Sequence, residues 1–246
     1  MTALLQLEGV HKNFGALRVA DGIDLEVTAD QALGIIGPNG AGKSTLFNLV
    51  TGALPVTSGR VLFDGVDVTA QAPSTRCRAG IARSFQIPHP FSGMSVYENL
   101  LVAAAFGDTG GAAGKAEHCA EVLERTGLLA KADLPASQLS LLERKRLELA
   151  RALATKPRLL LLDEIAGGLT QAECDALIAT IQSIQRSGVA IVWIEHIVHA
   201  LISVVGRLAV LHGGKFIADG EPNAVLADAR VREVYLGIGA HEQHAA

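Results

Sequence analysis

The stretch ALGIIGPNGAGKSTLFNLVTG, from Ala32 to Gly52, restricts the fold more than any other part of the chain. Ala32 to Ile36 is a short apolar run suited to a buried parallel strand, and Lys43 to Val50 suits a helix. Between them stand Gly37, four residues, then Gly42, Lys43 and Ser44, the full phosphate-loop spacing. A triphosphate must be wrapped by backbone N–H groups, and side chains would hold that backbone away. Gly37, Gly40 and Gly42 remove the obstruction, and the helix that follows offers unpaired donors and a positive dipole end. Lys43 is expected to reach the β and γ phosphates, and Ser44 to place its hydroxyl on Mg2+. The bland reading is a glycine-rich turn before an ordinary helix. The strand and helix on the correct sides weigh against it.

With 246 residues, 49% of them hydrophobic, the chain can bury a sizeable core. A net charge of −4 leaves no basic footprint, so nucleic acid is not an expected partner. Cys77, Cys119 and Cys174 are scattered and odd in number, which predicts neither a disulfide framework nor a metal site and fits a reducing cytosol. The opening MTALLQLEGVHK lacks the pattern of an export signal, and no apolar run approaches the roughly 18 residues that span a bilayer. Any role at a membrane needs other chains to supply the membrane part.

Leu4 to Val10 and Ile23 to Val27 read as antiparallel strands, and Asp64-Gly65 between apolar residues marks a hairpin within Gly59 to Val68. Phe14 can lay its ring on adenine or belong to the core. Ile81 to Phe85 reads as a buried strand that ends at Gln86, where an amide can contact Mg2+ or an attacking water. Ser95 with Glu98, Ser140 with Glu143 and Thr170 with Glu173 form three capping boxes. They predict helices to Phe106, to about Thr155 and to Ser187. A further helix is expected over Lys115 to Thr126, after a flexible connection from Gly107 to Gly114. Ser140 presents its hydroxyl and free N–H groups in one direction, a second anion-binding surface. Arg144, Lys145, Arg146 and Arg151 on the same helix read as a solvated face.

Leu159 to Leu162 is a fully apolar strand ending in Asp163 and Glu164. Consecutive side chains at a strand end diverge, so two roles fit better than one. Asp163 can hold Mg2+, and Glu164 can orient or deprotonate the water that attacks the γ-phosphate. Val189 to Ile194 is another buried strand and delivers His196 just past its end, where parallel sheets place ligands. A hydrogen bond from His196 to the γ-phosphate is expected; His196 and His199 lack a third partner with metal-ligand spacing. Arg207 to His212 and Lys215 to Ala218 form a closing hairpin, Asp228 to Leu236 a terminal helix, and the tail from Gly239 is expected to fray.

Over nearly its whole length the chain resembles the ATPase subunit of an ATP-binding cassette transporter. The matching pieces are GPNGAGKST at Gly37 to Thr45, Gln86, LSLLERKRLELARAL at Leu139 to Leu153, LLLLDE at Leu159 to Glu164, and Glu195 with His196. IARSFQ at Ile81 to Gln86, KRLELARALATKP at Lys145 to Pro157 and VREVYLG at Val231 to Gly237 are similar to the ATPases of branched-chain amino acid importers. The resemblance implies an α/β fold: a P-loop NTPase core with an N-terminal antiparallel β subdomain and an inserted α-helical subdomain. The core is expected over 1–86 and 157–236, the helical subdomain over 87–156 and the tail over 237–246.

It also implies Mg-dependent ATP hydrolysis at the cytoplasmic face of the cell membrane. Gly37, Pro38, Asn39, Gly40, Ala41, Gly42, Lys43, Ser44 and Thr45 would hold ATP, together with Phe14 and the Ser140 of a second ATPase chain facing it head to tail. Ser44, Gln86 and Asp163 would hold Mg2+, and Glu164, His196 and Gln86 would act in catalysis. Membrane permeases, and indirectly a solute-binding protein, are the further implied partners. The chain departs from the family pattern at Leu141 and Leu142, where glycines are usual, and at Thr170, where an aspartate is usual. These departures raise a different ATPase chain, with unequal sites, as an alternative to a homodimer. Other readings are export of lipid or lipopolysaccharide, a soluble non-transport cassette, and nucleotide binding without catalysis.

Overall fold

The computed structural model describes residues 3–107 and 112–236. β1 (Ala3–Phe14) and β2 (Leu17–Thr28) pair antiparallel along their whole length, beyond the apolar alternation, because a ladder needs only backbone groups. β3 (Ala32–Ile36) runs into the phosphate loop and α1 (Lys43–Thr51). β4 (Ser58–Phe63) pairs with β1 and turns back into β5 (Val66–Asp67). That turn is made by Asp64 and Gly65 at φ of 52° and 75°, the left-handed pair that matches strand twist.

α2 (Pro73–Ala79) is a helix the sequence does not announce, because its buried side chain is an arginine. Arg76 is 1% exposed and donates to the carbonyls of Leu49 at 2.7 Å, Val50 at 2.8 Å, Thr69 at 2.9 Å and Gln71 at 3.2 Å. Two of those carbonyls belong to the last turn of α1: Leu49 O also accepts from Gly52 N–H, and Arg76 adds a donor to it and to Val50 O. Arg76→Ala removes those donors from a buried site. We expect a loss of about 2 kcal/mol, read as a melting temperature lowered by roughly 4–8 °C for a chain of this size.

β6 (Ile81–Arg83) is three residues long, and its ladder stops at Arg83 rather than Phe85. α3 (Val96–Phe106), α4 (Ala112–Arg125) and α5 (Leu141–Ala154) follow, with both residues of the capping box at Ser95 and at Ser140 engaged. α4 begins inside the stretch expected to be a flexible connection; residues 108–111 of that stretch lie outside the described residues. The basic residues of α5 correct the expectation of a solvated face. Arg144 is exposed, but Lys145 is buried and Arg146 and Arg151 are half-buried. Arg151 donates to Glu148 at 3.0 Å and to the carbonyl of His89 at 2.9 Å.

β7 (Leu159–Asp163), α6 (Gln171–Arg186), β8 (Ala190–Ile194), the short α7 (Val198–Ile202), β9 (Arg207–His212) and β10 (Lys215–Gly220) complete the second sheet. Thr170, at the position of the usual aspartate, is the N-cap of α6 and accepts from Glu173 N–H. A short helix α8 (Pro222–Ala227) precedes the expected terminal helix, α9 (Ala229–Leu236), and the expected frayed tail lies outside the described residues.

The first sheet has the order β2-β1-β4-β5, the second β10-β9-β3-β8-β7-β6 with only β10 antiparallel to its neighbour. Alternation along the central strands splits the core in two. Leu33, Ile35, Val192 and Ile194 pack with Leu46, Phe47 and Leu49 of α1 and with the first sheet. Ile36, Leu160, Leu162 and Trp193 pack with Leu100, Leu149 and Ile181 from the opposite helices. Because β3, β7 and β8 are parallel neighbours, their C-terminal ends share one edge. That edge carries the phosphate loop, Asp163 with Glu164, and Glu195 with His196.

Candidate nucleotide-hydrolysis site

A cleft of about 280 Å³ opens at this edge, lined by Val19, Asn39, Gly40, Ala41, Gly42, Lys43, Ser44, Thr45 and Glu164. The glycines act differently from the sequence expectation. A Cβ at Gly37 would stand 2.1 Å from Leu211 O, and one at Gly42 2.7 Å from Val19 O. These two residues let the loop close on its own protein backbone. Only Gly40, at φ of 80° with nothing within 4 Å of a Cβ, borders open space. Lys43 is buried and donates to the carbonyls of Gly37 at 2.7 Å and Pro38 at 3.0 Å. Burial pushes its pKa down, and the charges of Glu164 and Asp163 act against that.

The two adjacent carboxylates go separate ways, as expected. Asp163 is 4% exposed and its Oδ2 receives Arg83 at 2.6 Å, while its Oδ1 is buried without a hydrogen-bond partner. Glu164 has a φ of 47°, a left-handed backbone that costs a non-glycine residue of order 1–3 kcal/mol. Its N–H is held by Ile194 O at 2.9 Å. The turn swings the carboxylate onto the cleft wall, where Oε2 accepts from Gln86 Nε2 at 2.5 Å and Oε1 lies 2.6 Å from His196 Nε2. Gln86, Glu164 and His196, from three different loops, are thus brought together.

Phe14 is not on the cleft lining. It ends β1, nearly half exposed, with the Lys12 ammonium 5.1 Å from its ring centre, and Val19 of β2 lines the cleft instead. Ser140 is not on the cleft lining either. Its hydroxyl accepts from Glu143 N–H at 3.4 Å while its own N–H donates to Glu143 at 2.9 Å, and Lys131 pairs with the same carboxylate. Leu141 beside it is exposed and lies against Gly168, in the loop that follows Glu164.

Sequence reasoning missed Arg83. Besides Asp163 it donates to Asn48 Oδ1 at 2.5 Å, and its guanidinium lies over the rings of Phe47 and Phe85. A lone arginine inside the apolar run IARSF is the signal that marks it.

The sequence profile of the family described as ABC transporter matches residues 20–167. The chain belongs to the ABC transporter family. The high-affinity branched-chain amino acid transport ATP-binding protein BraF of Pseudomonas aeruginosa is 34% identical over 95% of this chain and 98% of its own. The lipopolysaccharide export system ATP-binding protein LptB of Escherichia coli is 32% identical over 96% of this chain and 98% of its own. A nucleotide-free ATP-binding cassette from an ABC transporter superposes with a TM-score of 0.87 at 30% identity, covering 97% of this chain and 100% of that one. A cassette crystallised in its ADP conformation gives 0.87 at 31% identity, over 96% and 100%. This chain is an ABC-type ATPase with the mixed α/β fold of those cassettes.

Proposed function

We propose that the chain binds Mg-ATP in the cleft and hydrolyses it to power import of branched-chain amino acids or a related small solute through partner permeases. One observation carries the catalytic part: Gln86 and His196 converge on the two oxygens of Glu164 at the wall of the phosphate cleft. Glu164 is then the group that orients the attacking water and takes its proton. His196, already 2.6 Å from it, hydrogen-bonds the γ-phosphate, and Gln86 reports the state of the site to the loop it begins.

Magnesium fits the donor set. Asp163 offers a buried carboxylate oxygen without a partner, Ser44 a hydroxyl on the cleft wall, and Gln86 an amide oxygen, all hard donors. When bound, the ion supplies neutralisation of charge on the β and γ phosphates. Phe14 stacks on adenine once the nucleotide fills the space beside Val19.

In this reading a second ATPase chain faces the first and brings its Ser140 to the phosphates, which explains why Ser140 lies off the cleft of its own chain. The described residues of 87–156 form the helical subdomain in this reading. Phe85, Ile87, Phe91 and Met94 stand exposed around Gln86 and form the surface that a permease covers. In the same reading those permeases hold the chain at the cytoplasmic face of the membrane; no helix among the described residues is long and apolar enough to cross one.

The near-equal identity to BraF and LptB keeps lipopolysaccharide export as a second reading. The test is to co-purify the chain with its membrane partners, reconstitute them and follow phosphate release with Mg2+ or with a chelator. Release that needs Mg2+ and rises with a solute-binding protein loaded with leucine, isoleucine or valine supports import. Release that responds only to lipopolysaccharide transfers the engine to the second cargo.

A further inference from the structure

Glu195 is a carboxylate that the reading above leaves without a task. It follows β8 directly and is 1% exposed. A carboxylate so deep is costly unless donors meet its oxygens. Backbone N–H groups supply them: Oε1 accepts from Ala166 at 2.7 Å and Oε2 from His196 at 3.1 Å. Burial pushes the Glu195 carboxyl up, and the N–H groups of Ala166, His196 and Ile197 act to hold it down.

These two donors belong to different loops. Ala166 lies two residues past Glu164, and His196 carries the ring that touches Glu164 at 2.6 Å. Glu195 therefore closes a short circuit from the acidic loop, through one buried carboxylate, to the histidine loop and back to Glu164. Lys145 of α5 is buried within electrostatic reach of both Glu195 and Glu164. It places a compensating cation from a third element at the same point.

We infer that Glu195 is a positioning residue for ATP hydrolysis, fixing His196 against Glu164 by holding the N–H groups of Ala166 and His196 on its two oxygens. This rests on hydrolysis by Glu164. Glutamine in its place has the same size but only one acceptor end, so one loop loses its anchor and meets an N–H in its place. Aspartate keeps both acceptors on a shorter arm.

The test uses the full chain, with its membrane partners where turnover needs them, and the variants Glu195→Gln, Glu195→Asp, His196→Ala and Glu195→Gln/His196→Ala. For Glu195→Gln we expect kcat to fall roughly tenfold while the ATP dissociation constant stays within about twofold, the signature of misplaced groups rather than lost binding. Aspartate recovers part of the rate. The double variant loses no more than His196→Ala alone, because the glutamate acts through the histidine. Backbone hydrogen exchange at Ala166 or His196 quickens in Glu195→Gln.

Unchanged kcat in Glu195→Gln, with Glu164→Gln silent in the same preparation, overturns the inference and leaves the hydrolysis reading intact. Additive losses in the double variant, or unaltered exchange at both amides, overturn it too. If Glu164→Gln turns over like the wild type, the hydrolysis reading has failed and the positioning role falls with it. Should Glu195→Gln not fold, Glu195→Asp is compared with the wild type instead, where a smaller fall in kcat is expected and wild-type kcat with unaltered exchange at both amides overturns the inference.

Discussion

Replacing Glu164 by glutamine is expected to lower kcat for Mg-ATP by about 10²-fold or more, while ATP still binds within about twofold of the wild type. The carboxylate stands on the cleft wall and takes Gln86 at 2.5 Å on one oxygen and His196 at 2.6 Å on the other. An amide has the same outline and fills the same space, so the loop and cleft keep their shape. It cannot accept a proton from water, and at one end it turns a donor toward a donor. The loss therefore falls on the chemical step. The rest of the cleft lining, from Asn39 to Thr45, is untouched. Phosphate release at saturating Mg-ATP, beside a fluorescent-nucleotide titration of the same preparations, separates the two quantities. Turnover equal to wild type would remove Glu164 from the mechanism.

The sequence foretold this site where local rules act alone. The phosphate-loop spacing, the apolar strand before Asp163 and three capping boxes each depend on a few adjacent residues, and the structure has all of them. The convergence of Gln86 and His196 on Glu164 follows from a sheet order that puts β7 beside β8 and β6, which no local pattern encodes. Residues that work by being buried while charged escaped. Arg76 hides in α2 as a set of donors for backbone carbonyls, and Lys145 and Glu148 sit inside α5 where a charge run reads as a wet surface. Glu195 was visible only as the residue before His196. A polar residue in an apolar stretch marks a buried partner, but the partner's identity is a tertiary fact.

The second large effect belongs to Lys43. Lys43→Ala is expected to weaken ATP binding about 100-fold. Lys43 is 6% exposed, and its ammonium is held at the base of the loop by the carbonyls of Gly37 and Pro38. It is a preorganised cation in a site where burial disfavours its charge, so an arriving polyanion relieves that penalty as well as forming bonds. Charge-assisted hydrogen bonds contribute about 1.5–3 kcal/mol each, and two of the weaker kind account for roughly 3 kcal/mol, or about two powers of ten in affinity. The free protein responds little. Alanine leaves two carbonyls short of a donor but also removes a desolvated charge, and these oppose each other, so the melting temperature without nucleotide should stay within a few degrees. With Mg-ATP at a fixed excess the wild type and Glu164→Gln should both melt higher by mass action, whereas Lys43→Ala should rise far less at the same concentration. Arginine is no rescue, because a planar fork does not fit a buried slot that holds a point charge. If ATP raised the melting temperature of Lys43→Ala as much as that of the wild type, the nucleotide would be seated elsewhere, and the cleft beside Glu164 would lose its claim to the terminal phosphate.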